Sequence, residues 1–222
     1  MKTTVAALAI VVFAATLSAL PQTRDKGVTA TTILENDTVR VGRVRLPPHT
    51  ALVVTATAPP AVLMQITAGE VEVDQPGEGS RGLREPGAAT YVPSGVGHRS
   101  LNIGQTTFEL MLISIKPSRA PAPAAPKSDA PPGISRTAVI DNDEVRVVRA
   151  RFAPSGREPV HAHPNDLLTI QISGGNVEIV NGSDRSSVDR EPGFLQFLPR
   201  NVLHAFASAD TQPFEILSIS IK

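Results

Sequence analysis

The sequence predicts an all-β protein made of two tandem modules, and three observations lead to this prediction. Short alternating stretches such as Val71-Glu72-Val73 and Phe214–Ile221 are separated by Gly, Pro, Asn and Asp, which is typical of strands joined by turns. The 20 prolines and 16 glycines disfavour long helices, and no segment has a helical apolar stripe of adequate length. Third, the chain repeats itself.

The repeat keeps a constant offset of 106 residues. The stretch 35–41 (ENDTVRV) returns at 141–147 as DNDEVRV, and Arg84-Glu85-Pro86-Gly87 returns at 190–193. From 31 to 116 the offset needs no gap, and about 30 of the 86 pairs are identical. Two homologous modules are therefore expected at 31–116 and 137–222.

The flanking segments have different compositions. Lys2 is followed by an apolar stretch, Val5–Leu17, of about 13 residues, which suits a signal peptide better than a membrane span. Residues 1–30 are expected to be a signal peptide and short tail, and the protein to be periplasmic or secreted; the alternative is an uncleaved N-terminal anchor. The Pro- and Ala-rich segment 117–136 is expected to be a spacer between the modules.

Composition restricts the function classes. Lys plus Arg and Asp plus Glu both number 21, so the net charge of zero gives no reason to expect nucleic acid or, after signal cleavage, a membrane as partner. The absence of cysteine excludes disulfides and thiolate metal ligands. The expected partner is a small-molecule ligand or substrate, and a homo-oligomer stays open.

Both modules carry a glycine, a proline, a turn residue and a histidine at one spacing. The sets are Gly87, Pro93, Gly95, His98 and Asn102, and Gly193, Pro199, Asn201, His204 and Ser208. The exchange of Gly95 for Asn201 predicts a turn with positive φ, which Gly and Asn both tolerate. This spacing resembles the second motif of the cupin family. The resemblance implies two tandem cupin-type jelly-roll β-barrels in one chain, a bicupin.

The first cupin motif is visible only in the second module. Gly156 precedes His161-Ala162-His163, one residue closer than in the usual pattern, and Gly174-Gly175 follows. The glutamate that the family pattern expects would fall at Leu168 and is missing.

A divalent transition metal site is the main functional prediction. Residues i and i+2 of a strand face the same side, so the rings of His161 and His163 are both expected to point into the barrel. The resemblance implies that His204 lies against them. Three neutral imidazoles suit Fe, Mn, Zn, Ni or Cu. The alternative is that the first two histidines are ordinary polar residues near a loop.

Five further residues are expected around this site. Asp166 is a candidate ligand or supporting carboxylate, with loop capping as its alternative role. Apolar walls and one polar group are expected from Leu168, Ile170, Phe206 and Gln196; simple core packing is the alternative for each.

In the first module, the offset puts Thr55 and Thr57 in place of the two histidines, so only His98 remains. This module is expected to be a structural partner. Two function classes follow: a metal-dependent, dioxygenase-like oxidoreductase acting on a small molecule, or a non-catalytic cupin that binds a small ligand or is structural, without metal.

Overall fold

The computed structural model of the chain describes residues 22–117, 131–181 and 184–222. Within these ranges all regular elements are β-strands, and no helix there is long and apolar enough to cross a membrane. The expected signal peptide and most of the expected spacer lie outside the described residues.

The first module folds into two five-stranded antiparallel sheets, ordered β1-β4-β9-β6-β7 and β2-β3-β10-β5-β8. Its strands are β1 (Gln22–Arg24), β2 (Thr29–Glu35), β3 (Val39–Leu46), β4 (Ala51–Val54), β5 (Ala61–Gln65), β6 (Gly69–Gln75), β7 (Glu78–Arg84), β8 (Ala89–Val92), β9 (His98–Asn102) and β10 (Phe108–Ile115).

The second module has a five-stranded sheet, ordered β11-β12-β18-β13-β16, and a three-stranded sheet, β15-β14-β17. Its strands are β11 (Ile134–Asp141), β12 (Val145–Phe152), β13 (Leu167–Gln171), β14 (Gly175–Asn181), β15 (Asp184–Arg190), β16 (Leu195–Leu198), β17 (Ala205–Ser208) and β18 (Phe214–Ile221).

Both modules begin earlier than the sequence suggested. β1 and the start of β2 lie in the segment expected to be a tail, where Val28 is buried in the first core. β11 begins three residues before the expected start of the second module. Short polar strands of this kind lack a strong apolar signal of their own.

Each module encloses a core between its two sheets. In the first, Leu52 and Val54 of β4 pack against Phe108 and Leu110 of β10. In the second, Phe206 of β17 packs with the stacked rings of Phe152 and Phe214, whose centroids are 4.7 Å apart. This is the predicted all-β, jelly-roll type of architecture.

A third core joins the modules face to face. On β10, alternate side chains point in opposite directions: Leu110 and Leu112 enter the barrel, whereas Met111 and Ile113 enter this third core. The equivalent strand β18 contributes Leu217 and Ile219 from the other side. The central strands β10 and β18 therefore have buried apolar side chains on both faces.

Glycines at equivalent positions allow the modules to approach closely. A Cβ on Gly87 would lie 2.6 Å from Cδ1 of Ile172, and a Cβ on Gly193 would lie 3.1 Å from Cγ2 of Ile66. Both glycines have positive φ, +80° and +82°. Arg149 adds a bond across the same junction, donating to the Pro86 carbonyl at 3.4 Å.

The turn predicted from Gly95 and Asn201 is confirmed. Gly95 has φ +82° and Asn201 has φ +62°, so both occupy the left-handed region at the same place in the repeat. Each turn directly precedes the segment that carries the histidine of its barrel.

Candidate metal centre

Three histidines converge in the second barrel. His161 and His204 are neighbours in an antiparallel bridge, with His161 N donating to His204 O and His204 N donating to His161 O, both at 2.9 Å. His163 follows two residues later on the same segment. One ring nitrogen from each residue lies within 4.8 Å of the others, and the ring centroids are 4.7 to 5.1 Å apart.

Backbone carbonyls fix the orientation of two of these rings. Nδ1 of His161 lies 2.8 Å from the Pro159 carbonyl, and Nδ1 of His204 lies 3.0 Å from the Val202 carbonyl. A carbonyl only accepts, so each Nδ1 carries the proton and leaves a lone pair on Nε2. Nε2 of His204 is buried and has no hydrogen-bond partner among the described residues. These donors fit a transition metal ion.

The environment favours the neutral form of two of the three imidazoles. Burial, reinforced by His161, His204 and Arg136, lowers the pKa of His163 to about 4. Burial also lowers the pKa of His204, although the hydrogen bond to the Val202 carbonyl opposes this shift. Near pH 7 little proton competition therefore opposes metal binding at these two rings.

Glu158 is a nearby carboxylate that was not among the residues predicted for this site. It is 8% exposed, and its Oε1 pairs with Arg136 at 2.6 Å. Its other oxygen accepts the backbone N–H of Phe206 at 3.3 Å. Its charge raises the pKa of His204, which places it within electrostatic range of the site. In the sequence, only the position of Glu158 between Gly156 and the histidine pair indicated that it could lie near the site.

Asp166 caps a loop, which is the alternative role expected for it from the sequence. Its Oδ2 accepts the Thr38 hydroxyl of the first module at 2.7 Å, and its Oδ1 accepts the backbone N–H of Arg200 at 2.9 Å. It does not belong to the histidine group. The carboxylate therefore anchors a loop to the other module instead of supporting a metal.

The pocket wall expected from Leu168 and Ile170 is wrong. Both side chains lie in the core between the modules, whereas Leu167 faces the barrel interior with Phe206. The cause is the two-residue period of a strand, because a one-residue error reverses the face. The barrel-facing residue at this point is still apolar, so the missing glutamate is not replaced.

The other two expected residues do lie in the second barrel. The Phe206 ring lies 5.5 Å from the His204 ring, centroid to centroid. Gln196 is opposite Thr169 on β13, and its Oε1 accepts a hydrogen bond from Arg190.

Arg190 is a buried cation in the same barrel. It is 3% exposed, and its Cζ lies 4.8 Å from the centroid of Phe194 and 5.1 Å from that of Phe206. Burial lowers its pKa to about 10. Among the residues that the structure describes, no carboxylate lies within 4.0 Å of the guanidinium. Arg190 therefore adds a positive charge beside Phe206 in the second barrel.

The first module has no equivalent metal group in its described part. His98 is paired with Val54, whereas the corresponding histidine of the second module is paired with His161. Between Arg157 and His161 the second module has one residue more than the first module has between Ala51 and Val54. The constant offset of 106, which pairs His161 with Thr55, therefore fails at this point. Val54 is 2% exposed and belongs to the barrel core. An apolar side chain thus takes the first ligand position.

No protein-family model matches this sequence, and no curated protein matches it. Solved structures do match its fold. A "Cupin 2 conserved barrel domain protein" from Leptotrichia buccalis is 15% identical, with a TM-score of 0.63, and the match covers 90% of this chain and 91% of that one. AerE from Microcystis aeruginosa is 14% identical, with a TM-score of 0.70 and coverage of 90% and 97%.

A salicylate 1,2-dioxygenase from Pseudaminobacter salicylatoxidans is 12% identical, with a TM-score of 0.60, and the match covers 83% of this chain and 71% of that one. Identities this low show the fold alone. The chain has the cupin fold, as the spacing of its glycines, prolines and histidines predicts.

Proposed function

We propose that the protein binds one divalent transition metal ion through His161, His163 and His204. The observation that carries the proposal is the convergence of three ligand nitrogens to within 4.8 Å. The rings of His161 and His204 are already oriented by their Nδ1 contacts to backbone carbonyls, and Nε2 of His204 has no partner among the described residues. Nε2 of His161 lies 3.1 Å from Nε2 of His163, so metal binding replaces this one hydrogen bond between the rings. Three imidazoles suit Fe, Mn, Zn, Ni and Cu alike, so metal identity is a matter for measurement.

We further propose that the metalloprotein is a dioxygenase-type oxidoreductase acting on a small anionic molecule. The fold that the chain shares with a salicylate 1,2-dioxygenase supports the reaction class. When bound, a redox-active ion such as Fe(II) would supply electrons to O2. Three neutral ligands would leave both positive charges of such an ion uncancelled, so an anion is the favoured occupant.

The residues of the chain then have defined tasks. His163 and His204 bind the ion in their neutral form because burial lowers the pKa of both rings, and His161 supplies the third nitrogen. Phe206 excludes water from one side of the His204 ring. Arg190 contributes a positive charge that draws an anion into the barrel, because no acidic side chain of the described residues pairs with it.

Metal analysis of the purified full chain tests the first proposal. After chelation and reloading with Zn(II) or Fe(II), elemental analysis is expected to find about one ion per chain. His163→Ala is expected to weaken binding by more than the roughly 10- to 100-fold typical of losing a supporting group. His49→Asn is the matched control, because His49 is exposed and lies in the first module. Undiminished binding by His161→Ala/His163→Ala protein would refute the assignment.

Oxygen consumption tests the second proposal. Fe(II)-loaded protein is mixed with a panel of small carboxylic acids, and O2 uptake is followed with an electrode. Uptake that depends on one acid and is lost in His163→Ala supports a dioxygenase. Stoichiometric metal without any uptake refutes the enzymatic part and leaves a non-catalytic metal-binding cupin.

Export is a separate part of the proposal, supported by the apolar segment Val5–Leu17 after Lys2. A charge in the middle of this segment, as in Val11→Arg, is expected to retain the protein in the cytoplasm of a bacterial host. Fractionation with N-terminal sequencing measures this. If the wild-type protein and the Val11→Arg variant are found in the cytoplasm in equal proportion, export through this segment is contradicted.

A further inference from the structure

The first barrel contains a cavity where the second has aromatic rings. The cavity has a volume of about 30 Å³. Its polar lining consists of Gln65, Arg84, Thr90, His98 and Ser100, and its apolar lining includes Leu63 and Val71. His98 occupies the same place in the repeat as His204 of the metal centre. The cavity therefore lies in the corresponding region of a barrel that lacks the metal ligands.

Two exchanges between the modules account for this space. Ala88 and Ser100 of the first module stand where the second has Phe194 and Phe206. In the second module these two rings cover the guanidinium of Arg190 at 4.8 and 5.1 Å. The first module keeps the equivalent arginine, Arg84, but has no rings to cover it, so Arg84 lines the cavity.

The lining provides one buried hydrogen-bond donor that has no partner. Gln65 is only 7% exposed, and its Nε2 has no hydrogen-bond partner in the part of the chain that the structure describes. A buried donor of this kind is rarely left unsatisfied. Arg84 adds a positive charge, and none of the described residues that line the cavity is acidic. One terminal nitrogen of Arg84 donates to Ser80 Oγ at 2.5 Å, and the guanidinium has further N–H groups that a ligand can accept from.

His98 and Ser100 are already engaged with each other. Nε2 of His98 lies 2.8 Å from Ser100 Oγ, and Nδ1 lies 3.1 Å from Gln75 Oε1. An amide oxygen only accepts, so Nδ1 carries the proton and Nε2 accepts the Ser100 hydroxyl proton. Burial lowers the pKa of His98 to about 4, so the ring stays neutral and does not compete with Arg84 as a cation.

We propose that the first module binds the carboxylate group of a small organic acid, with the carboxylate oxygens accepting hydrogen bonds from Gln65 Nε2 and from Arg84. A fixed positive charge, a free amide donor and the absence of lining acids favour an anion with planar acceptors. One water needs roughly 10–15 Å³, so a volume of about 30 Å³ has room for a group of carboxylate size. The rest of the acid would have to lie outside this cavity.

The test uses the metal-free full chain, so that it does not depend on the proposed metal centre. Formate is titrated while the side-chain amide signals of Gln65 and Gln171 are followed by ¹H–¹⁵N NMR, with chloride at equal ionic strength as the reference. Gln171 is the internal control, because at the equivalent place in the second module its Nε2 already donates to the Ser173 carbonyl at 2.8 Å and is not free to bind an anion. Saturable movement of the Gln65 signal, with Gln171 unmoved, is the expected result.

Two variants make the test specific. Ala88→Phe/Ser100→Phe reproduces the residues of the second module and is expected to abolish the response to formate. Arg84→Gln keeps the small side chains, removes the charge and is expected to weaken binding at least tenfold, which covers the case in which the double variant does not fold. A Gln65 signal that ignores 100 mM formate, or an Arg84→Gln protein with unchanged affinity, overturns the proposal.

Discussion

The close approach of Gly87 to Ile172 predicts the energetic cost of adding one methyl group at the junction of the modules. In Gly87→Ala the new Cβ would lie 2.6 Å from Cδ1 of Ile172 and 3.1 Å from its Cγ1. Overpacking of this kind costs about 1–3 kcal/mol. The φ of +80° adds about 1–2 kcal/mol for a residue with a side chain. The expected loss in the free energy of unfolding is therefore about 2–5 kcal/mol.

Gly95→Ala separates the two contributions. Gly95 has a φ of +82°, but a Cβ there would meet nothing within 4 Å. This variant is expected to lose only the roughly 1–2 kcal/mol of the backbone contribution. Urea denaturation at equilibrium measures both variants, and the difference between them reports the contact with Ile172.

A double variant identifies the atom responsible. Ile172→Val removes Cδ1 and alone costs about 0.5–1.5 kcal/mol. In that background Gly87→Ala is expected to cost less than in the wild type, because the nearest contact is gone. Equal losses for Gly87→Ala and Gly95→Ala, with no coupling between Gly87→Ala and Ile172→Val, would refute the face-to-face packing of the modules at this point.

Three further predictions concern single residues. Asn102→Ala removes three hydrogen bonds, of 2.8, 2.9 and 3.0 Å, and at about 1 kcal/mol each the free energy of unfolding in urea should fall by about 3 kcal/mol. Ser208, at the equivalent position, has longer contacts of 3.3 and 3.5 Å, so Ser208→Ala should cost less. Equal losses for the two variants contradict this prediction. Burial lowers the pKa of His98 from 6.5 to about 4, so the unfolded chain binds its proton first and stability should fall by up to about 3 kcal/mol as the pH drops through that window. His98→Gln should make this pH dependence shallower, with the contributions of His163 and His204 remaining, and an unchanged slope argues against a buried neutral ring. Leu167→Glu should give a protein that added Zn(II) stabilises, whereas Leu168→Glu, buried between the modules, should unfold with or without Zn(II); equal behaviour in thermal melts contradicts the assigned register.

The histidine cluster could be predicted because it depends on features that a sequence records well. A fixed offset identifies the repeat, and His161 and His163 share a side of their segment wherever the backbone is extended. The cupin resemblance then brings His204 to the same barrel. Burial, hydrogen-bond partners and pKa direction had no sequence signal, because they depend on side chains from several strands.

The faces of the strands were harder to predict. β13 is apolar on both sides, so its sequence does not distinguish Leu167, inside the barrel, from Leu168, between the modules. The extra residue before His161 likewise changes the register, and the constant offset therefore selects Thr55 where the structure pairs Val54 with His98. A single displaced residue was enough to reverse each assignment.

The two modules differ less in the core between them than around their barrel interiors. Between the modules, Val39, Val41, Ile66, Ile113 and Ile115 recur unchanged as Val145, Val147, Ile172, Ile219 and Ile221. Around the barrel interiors, by contrast, Val54, Ala88 and Ser100 of the first module are replaced by His161, Phe194 and Phe206 in the second. Packing at the junction restricts both copies because its core is built from side chains of both modules. The interiors are separate chambers, so one can hold three imidazoles while the other keeps an open space beside a neutral histidine.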